Sequence, residues 1–327
     1  MTTLVLTSDE CESLLDHRQV MAALERAHAA LTTGAAEQPR PAAMRPATAD
    51  AADPHGPALL PMAATWLGLA VVKTLSDIPR NRERGLPAQR STVALYDAET
   101  AECLALIDGR TLTRIRTASA TGLATRLLAR PGSRVLGLIG AGALALEHLR
   151  SHQCLGYDEV VVWSRSDRTA QVLAEIAPAD VSVTIAETPG EVVANADVVC
   201  TLTPSVDPIL TAAELRPGLH INAVGSPPRP HFRELAADVL ARANLVVVDA
   251  LDVALHESGN IAAGAVDAAA LVELGDIVTG AHPGRRGGRE VTVFNSVGIG
   301  LQDLAAAELA RSRARSAGVG REFDLRG

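Results

Sequence analysis

Aromatic side chains are almost missing from this chain: only 2% of its 327 residues are Phe, Trp or Tyr. Its core must be built from Ala, Val, Leu and Ile, and a stacking platform for single-stranded nucleic acid is not expected. There is no block of Lys or Arg, and the formal net charge is −8. Nucleic acid and anionic membranes are therefore not expected partners. Cysteine is scarce. Cys11, Cys103, Cys154 and Cys200 lie far apart, with neither metal-ligand spacing nor a disulfide framework. They read as buried apolar side chains in a reducing compartment. No segment approaches the ~20 uninterrupted apolar residues of a membrane span. The opening "MTTLVLTSDECESLLD" has early acids and no apolar stretch of signal length, so a cytoplasmic protein is expected. His256–Glu257 lacks the second histidine of a zinc helix, and no serine sits in G-x-S-x-G; no metal is expected.

What remains is ordinary globular material, 47% hydrophobic and 21% charged, long enough for two modest domains. Residues 8–32 read as a helix opened by a capping-type serine, with Val20, Leu24, Ala27 and Leu31 at helical spacing. Residues 35–60 are rich in Ala and Pro and read as extended or loop. "LAVVKTL" (69–75), "TVALYDA" (92–98) and "CLALID" (103–108) read as strands, the last two joined as a hairpin. From 117 the pattern changes. A helical "TASATGLATRLLA" is followed by short β-branched runs alternating with helical or turn segments, the βαβ alternation of a parallel sheet covered on both faces. A last strand at 290–295 leads into a closing helix.

The stretch "RVLGLIGAGALALEHLRSH" (134–152) holds Gly140, Gly142 and Ala145 in a G-x-G-x-x-[GA] pattern, directly after a strand and opening a helix. That context points to a dinucleotide loop. Gly140 allows the tight turn, Gly142 lets the backbone approach a pyrophosphate, and Ala145 keeps helix and strand close. The helix N-terminus offers its N–H groups and positive dipole end to the phosphates. The plainer reading is a glycine turn of any αβ protein. At the end of the second strand, where NAD-binding proteins usually carry an acid, stand Ser164, Arg165 and Ser166, with Arg168 following. Arg165 suits a 2′-phosphate that an acid would repel. NADPH is therefore expected in preference to NADH. The alternative is that Arg165 and Arg168 are solvated surface charges, with Asp167 a weak acid beside them.

Several stretches together resemble the ornithine cyclodeaminase/mu-crystallin family: "KTLSDIPRNRERGLP" (73–87), "LYDAETAECLALIDG" (95–109), "LTRIRTASATGLATRLLA" (112–129), the glycine loop, "INAVG" (221–225) and "TVFNSVGIGLQDLAAA" (292–307). They stand in family order and cover most of the chain. The resemblance implies an α/β fold with a Rossmann dinucleotide-binding domain over 117–295. That domain is inserted in an α+β substrate-binding and dimerisation domain made of 1–116 and 296–327. It also implies a homodimer and hydride transfer on a small imino or amino acid. Family members include ketimine reductases, cyclodeaminases, alanine dehydrogenases, enzymes joining amino acids through secondary amines, and mu-crystallins that act as binding or lens proteins.

Three cations match family positions: Arg45, Lys73 and Arg116. Arg45 and Arg116 are the expected clamp for a substrate carboxylate, since a guanidinium fork suits that geometry. Lys73, in an otherwise apolar strand, is the expected proton donor or electrostatic partner. Its plain alternative is a lysine that snorkels to water, and that of Arg45 is an exposed loop arginine. Thr117, Val224, Gly225 and Ser296 are further cofactor contacts implied by the resemblance. Gly298 and Gly300 would permit close approach near the nicotinamide, while Ser296 could instead be a helix cap. Cyclodeaminases of the family carry an aspartate after the Val-Gly pair. Here Ser226, Pro227 and Pro228 follow, and Pro227 has no carboxylate. The following "RPHFREL" resembles the ketimine-reductase branch, which favours imine reduction over cyclodeamination. His231 is the nearest titratable substitute, though an exposed loop histidine would be inert. Arg90, in a strand whose residues alternate faces, either meets a second anionic group or points outward.

Overall fold

The computed structural model describes residues 2–45, 56–227, 229, 231–263 and 266–325. Along the chain come β1 (Thr3–Leu6), α1 (Ser8–Leu14), α2 (His17–Thr32), β2 (Ala36–Glu37), β3 (Ala58–Trp66), β4 (Leu69–Asp77), β5 (Gln89–Asp97), β6 (Cys103–Asp108) and α3 (Gly109–Leu128). There follow β7 (Val135–Ile139), α4 (Ala143–Gln153), β8 (Glu159–Trp163), α5 (Asp167–Ile176), β9 (Ser182–Ile185), α6 (Pro189–Asn195), β10 (Val198–Thr201) and β11 (His220–Ala223). Then come α7 (Ala237–Arg242), β12 (Leu245–Val248), α8 (Leu251–Glu257), α9 (Gly259–Ala262), β13 (Leu271–Glu273), α10 (Leu274–Thr279), β14 (Thr292–Asn295), α11 (Gly300–Ala317) and β15 (Arg321–Phe323). Two compact units result: Met1–Arg116 with Ile299–Gly327, and Thr117–Gly298.

The first unit is a seven-stranded sheet in the order β15-β1-β6-β5-β4-β3-β2. α11 lies on β3, β4 and β5 and against α2. One sheet face buries Leu60, Met62, Val71, Val93, Leu95 and Ile107, the aliphatic core that the shortage of aromatics demands. Two expectations are corrected here. The helix expected over 8–32 is two. Thr7, not Ser8, caps the first through a reciprocal box with Glu10. Asp16 then opens the second by accepting from Gln19 N at 3.1 Å. The segment expected to be extended or loop up to residue 60 enters a strand at Ala58. Pro61 is tolerated there for a geometric reason. Leu59 exchanges backbone hydrogen bonds with Met44, on the side away from β4. The nitrogen of Pro61, two residues on, faces that same side, where a missing N–H breaks no ladder to β4. Residues 46–55 of the Ala/Pro-rich stretch lie outside the described residues.

The second unit is an eight-stranded, wholly parallel sheet in the order β13-β12-β14-β11-β10-β7-β8-β9. From β7 the chain winds outward through β8 and β9, then returns to place β10 on the other flank of β7. That reversal makes β7/β10 the topological switch point, outside whose carboxyl ends open α/β sheets take their ligands. One sheet face buries Val199, Ile221, Val246 and Val293, the other Leu136, Leu138, Val160 and Val198. The expectation for the cysteines holds for two of them. Cys11 and Cys200 are buried, and burial pushes each thiol up to about 12, while Cys103 and Cys154 are only half-buried.

Candidate functional site

In the second unit the glycine loop follows β7. Gly140 has φ +110°, and a Cβ there would lie 2.9 Å from Leu202 O. Both facts demand glycine. Its N–H donates to Trp163 O at 2.8 Å, tying the ends of β7 and β8 together. Gly142 is the exposed N-cap of α4, no side chain caps that helix, and a Cβ added there would meet nothing within 4 Å. The residue is thus not glycine for want of room inside the protein. An open N-terminus beside a bare backbone fits the phosphates of a dinucleotide. Ala145 is fully buried. At the end of β8, Ser164 Oγ accepts from Ser166 N at 3.4 Å, and Ser166 is the N-cap of α5 with no side-chain cap bond. Arg165, Ser166 and Arg168 are exposed.

The residues expected along the remaining strand ends lie on the same carboxyl edge. Val224 and Gly225 follow β11, and their N–H groups donate to Thr201 O of β10 at 3.1 and 3.0 Å. Ser296 follows β14, is buried, and donates its N–H to Ala223 O at 2.9 Å. Gly298 adopts φ +77°, and Asp249 Oδ2 accepts from Val297 N and Gly298 N at 2.7 and 2.8 Å. Thr117 lies half-buried on α3. Pro227 is half-buried and His231 exposed; Pro228 and Pro230 lie outside the described residues.

In the first unit the structure joins two of the three expected cations. Lys73 on β4 and Arg116 on α3 meet at Asp303 of α11. Lys73 Nζ donates to Asp303 Oδ1 and Oδ2 at 3.0 and 3.1 Å, and Arg116 Nε donates to Oδ1 at 2.9 Å. Arg116 Nη1 donates to Gln302 Oε1 at 2.9 Å. Gln302 Nε2 then faces His28 Nε2 at 3.2 Å, so this His28 nitrogen is the acceptor. Lys73 and Asp303 are fully buried. Burial is the main influence on Lys73 and lowers its pKa to about 8; Asp303 pushes back upward and Arg116 adds to the fall. Two buried cations share one carboxylate, which leaves a surplus positive charge. Lys73 sits on a strand that α11 covers, and Arg116 reaches from α3 to α11. Gly300, at its start, would place a Cβ 2.8 Å from Ala63 O of β3, so only glycine lets the helix approach this closely.

Arg45, the third expected cation, stands at the edge of the described residues. It is exposed, one residue beyond the bridge between Met44 and Leu59. Arg90 is exposed too and pairs with Ser76, three residues from Lys73, so it points from the opposite sheet face. Sequence reasoning missed Asp303 and Gln302. The available signal was an acid and an amide inside the apolar run "GLQDLAAA", facing a lysine inside an apolar strand.

A model of the ornithine cyclodeaminase/mu-crystallin family matches residues 1–318. The ketimine reductase mu-crystallin of Mus musculus is 38% identical over 225 residues, 68% of this chain and 69% of the mouse protein. Among solved structures, Thermococcus litoralis Delta(1)-pyrroline-2-carboxylate reductase in complex with NADH and L-proline has a TM-score of 0.91 at 30% identity, covering 98% of this chain and 100% of that one. An archaeal alanine dehydrogenase dimer with bound NAD also reaches 0.91 at 30% identity, covering 99% and 100%.

Proposed function

The chain belongs to the ornithine cyclodeaminase/mu-crystallin family, and from that premise we propose that it is an NADPH-dependent reductase of 2-imino acids. Cyclic ketimines such as pyrroline-2-carboxylate and piperideine-2-carboxylate are the substrates of this reading. The observation that carries it is the surplus positive charge of the buried Lys73–Arg116–Asp303 cluster. Buried charge needs a counter-charge, and a 2-imino acid brings a carboxylate next to the atom to be reduced. Arg116 keeps Nη2 free of partners among the described residues and offers it to that carboxylate. Lys73, with a pKa of about 8, is still an ammonium at neutral pH and close enough to titration to give its proton to the imine nitrogen. Arg45 is assigned to the carboxylate by family resemblance alone.

Gly140, Gly142, Ala145, Thr117, Val224, Gly225 and Ser296 would hold the dinucleotide. Ser164, Arg165, Ser166 and Arg168 would receive a 2′-phosphate. When bound, the reduced nicotinamide supplies the hydride that adds to C2 of the iminium. Pro227 lacks the carboxylate that cyclodeamination uses, which supports reduction. The homodimer of this reading draws support from the sheet face turned away from α11, where Val72, Thr74 and Thr92 are exposed. A cytoplasmic location completes it.

The test is cofactor oxidation at 340 nm, offering NADPH and NADH separately with pyrroline-2-carboxylate, piperideine-2-carboxylate, and pyruvate plus ammonia or an amino acid. Turnover of a cyclic imine with NADPH is expected. Turnover only with pyruvate and an amine would replace the reading by a dehydrogenase or a reductive coupling enzyme. Ammonia release from ornithine would replace it by a lyase, and nucleotide binding without any turnover by a binding protein.

A further inference from the structure

A second buried carboxylate stands at the carboxyl edge of the parallel sheet. Glu234, in the segment between β11 and α7, is fully buried. Its Oε1 accepts from Thr203 N at 2.6 Å and Thr203 Oγ1 at 2.9 Å. Its Oε2 accepts from Gly225 N at 2.7 Å and Thr201 Oγ1 at 2.8 Å. Each oxygen therefore takes one backbone N–H and one hydroxyl, a pattern that an amide cannot satisfy. Burial pushes its pKa up, and the four donors oppose that rise and favour the anion. Among the described residues no cation pairs with its carboxylate, whose hydrogen bonds are these four. The backbone around it is fixed as well, since Glu234 N and Leu235 N both donate to Asn260 Oδ1, at 3.0 and 3.1 Å.

The loops that Glu234 holds are the walls of the switch point. A Cβ on Gly225 would lie 2.1 Å from Thr203 N and 2.6 Å from Glu234 Oε1. A Cβ on Gly140 would meet Leu202 O. Leu202–Thr203 is thus clasped between the glycine loop after β7 and Gly225 after β11, and Glu234 closes the clasp from below.

We propose that the uncompensated negative charge of Glu234 makes this site favour the oxidised over the reduced nicotinamide, and so strengthens the bound reduced cofactor as a hydride donor. The inference rests on the dinucleotide reading of the glycine loop. The ring carries a positive charge when oxidised and none when reduced, so a fixed anion in a poorly solvated wall stabilises the oxidised form selectively. By linkage, whatever binds product cofactor better than substrate cofactor pulls hydride transfer toward the reduced imine.

The experiment measures dissociation constants of NADP+ and NADPH, without substrate, for the unaltered protein, Glu234→Gln and Glu234→Asp. The unaltered protein should bind NADP+ at least as tightly as NADPH. Glu234→Gln should raise the ratio of the NADP+ to the NADPH constant by about fivefold or more, as loss of a nearby unit charge at low dielectric demands. Glu234→Asp keeps the charge and should leave the ratio within about twofold while weakening both nucleotides. Equal weakening of both forms in Glu234→Gln would show a purely structural carboxylate and overturn the proposal. NADPH binding roughly tenfold tighter than NADP+ in the unaltered protein would overturn it too, even if the Gln variant did not fold. Failure of the unaltered protein to bind either nucleotide would remove the dinucleotide reading itself, an outcome distinct from an unchanged ratio.

Discussion

Asp303→Asn is the most informative single change. In the native cluster Asp303 receives both Lys73 and Arg116 at 2.9–3.1 Å with no solvent exposure. With a pKa of about 8 for Lys73, the ammonium outweighs the amine by roughly tenfold at pH 7. Asparagine removes the carboxylate that both cations share and leaves Arg116 to repel the ammonium. A hydrogen bond to a charged group is worth about 1.5–3 kcal/mol, which is about one to two pKa units downward for Lys73. The protonated fraction should then fall about twofold to tenfold at pH 7 and about 10- to 100-fold at pH 9, while at pH 6 it should stay within about twofold of native.

The assay is kcat/KM for a cyclic imine across pH 5.5 to 9.5, with native protein and variant measured on the same substrate so that its own titration cancels. If protonated Lys73 is the proton donor, the alkaline limb should move about one to two units toward acid. Two limbs at the same pH, differing only by a constant factor, would refute the assignment of Lys73 as the titrating donor. Asp303→Glu, which keeps the charge, should return the limb toward its native position. Breaking a buried pair costs about 3–5 kcal/mol, and Lys73 can escape part of this by losing its proton, so destabilisation in denaturant should sit near about 3 kcal/mol.

Lys73→Met removes the surplus charge and leaves Arg116 paired one-to-one with Asp303. Stability should stay within about 1 kcal/mol of native or rise, while turnover falls by about 100-fold or more; a large loss of stability would contradict the charge count. Arg165→Ala should weaken NADPH binding about fivefold while sparing NADH, and equal effects in titrations of both would remove the 2′-phosphate assignment. His220 donates to Asn222 Oδ1 and faces Thr292 Oγ1, and burial, aided by Arg285, lowers its pKa to about 3 from 6.5. Between those values the unfolded chain takes up a proton that the folded chain refuses. Stability should therefore be full above pH 6.5 and decline as pH falls, by up to about 1.4 kcal/mol per unit from this group. His220→Gln should flatten the denaturation midpoint between pH 6.5 and 4.5, and an unchanged slope would assign the acid sensitivity elsewhere.

Local chemistry was legible in the sequence wherever one short segment contains the whole cause. The strand, the glycines and the helix around Gly140 and Gly142 are contiguous, so their spacing already states a tight turn with an open helix end. The βαβ alternation after residue 117 was legible for the same reason, because strands buried on both faces read as continuous β-branched runs. The strand at 58–66 was hidden by Pro61, whose tolerance depends on which side of the strand has a neighbour. The break between α1 and α2 turned on Asp16 acting as a cap rather than as one more exposed acid.

The sequence by itself determined that Lys73 is a charge in an apolar strand, and an isolated buried charge demands a partner. Which partner it finds was decided by the tertiary structure. Asp303 stands 230 residues from Lys73 in the chain and meets it only because α11 crosses β4. Arg45 carries the same charge in an equally suggestive position and stays exposed. Nothing near Glu234 in the sequence announces its partners; the segments after β10 and β11, with Thr201, bring two backbone N–H groups and two threonine hydroxyls to its oxygens. Residue type and local spacing specify what a side chain needs in order to be buried, whereas the long-range packing of helices and strands specifies what it receives.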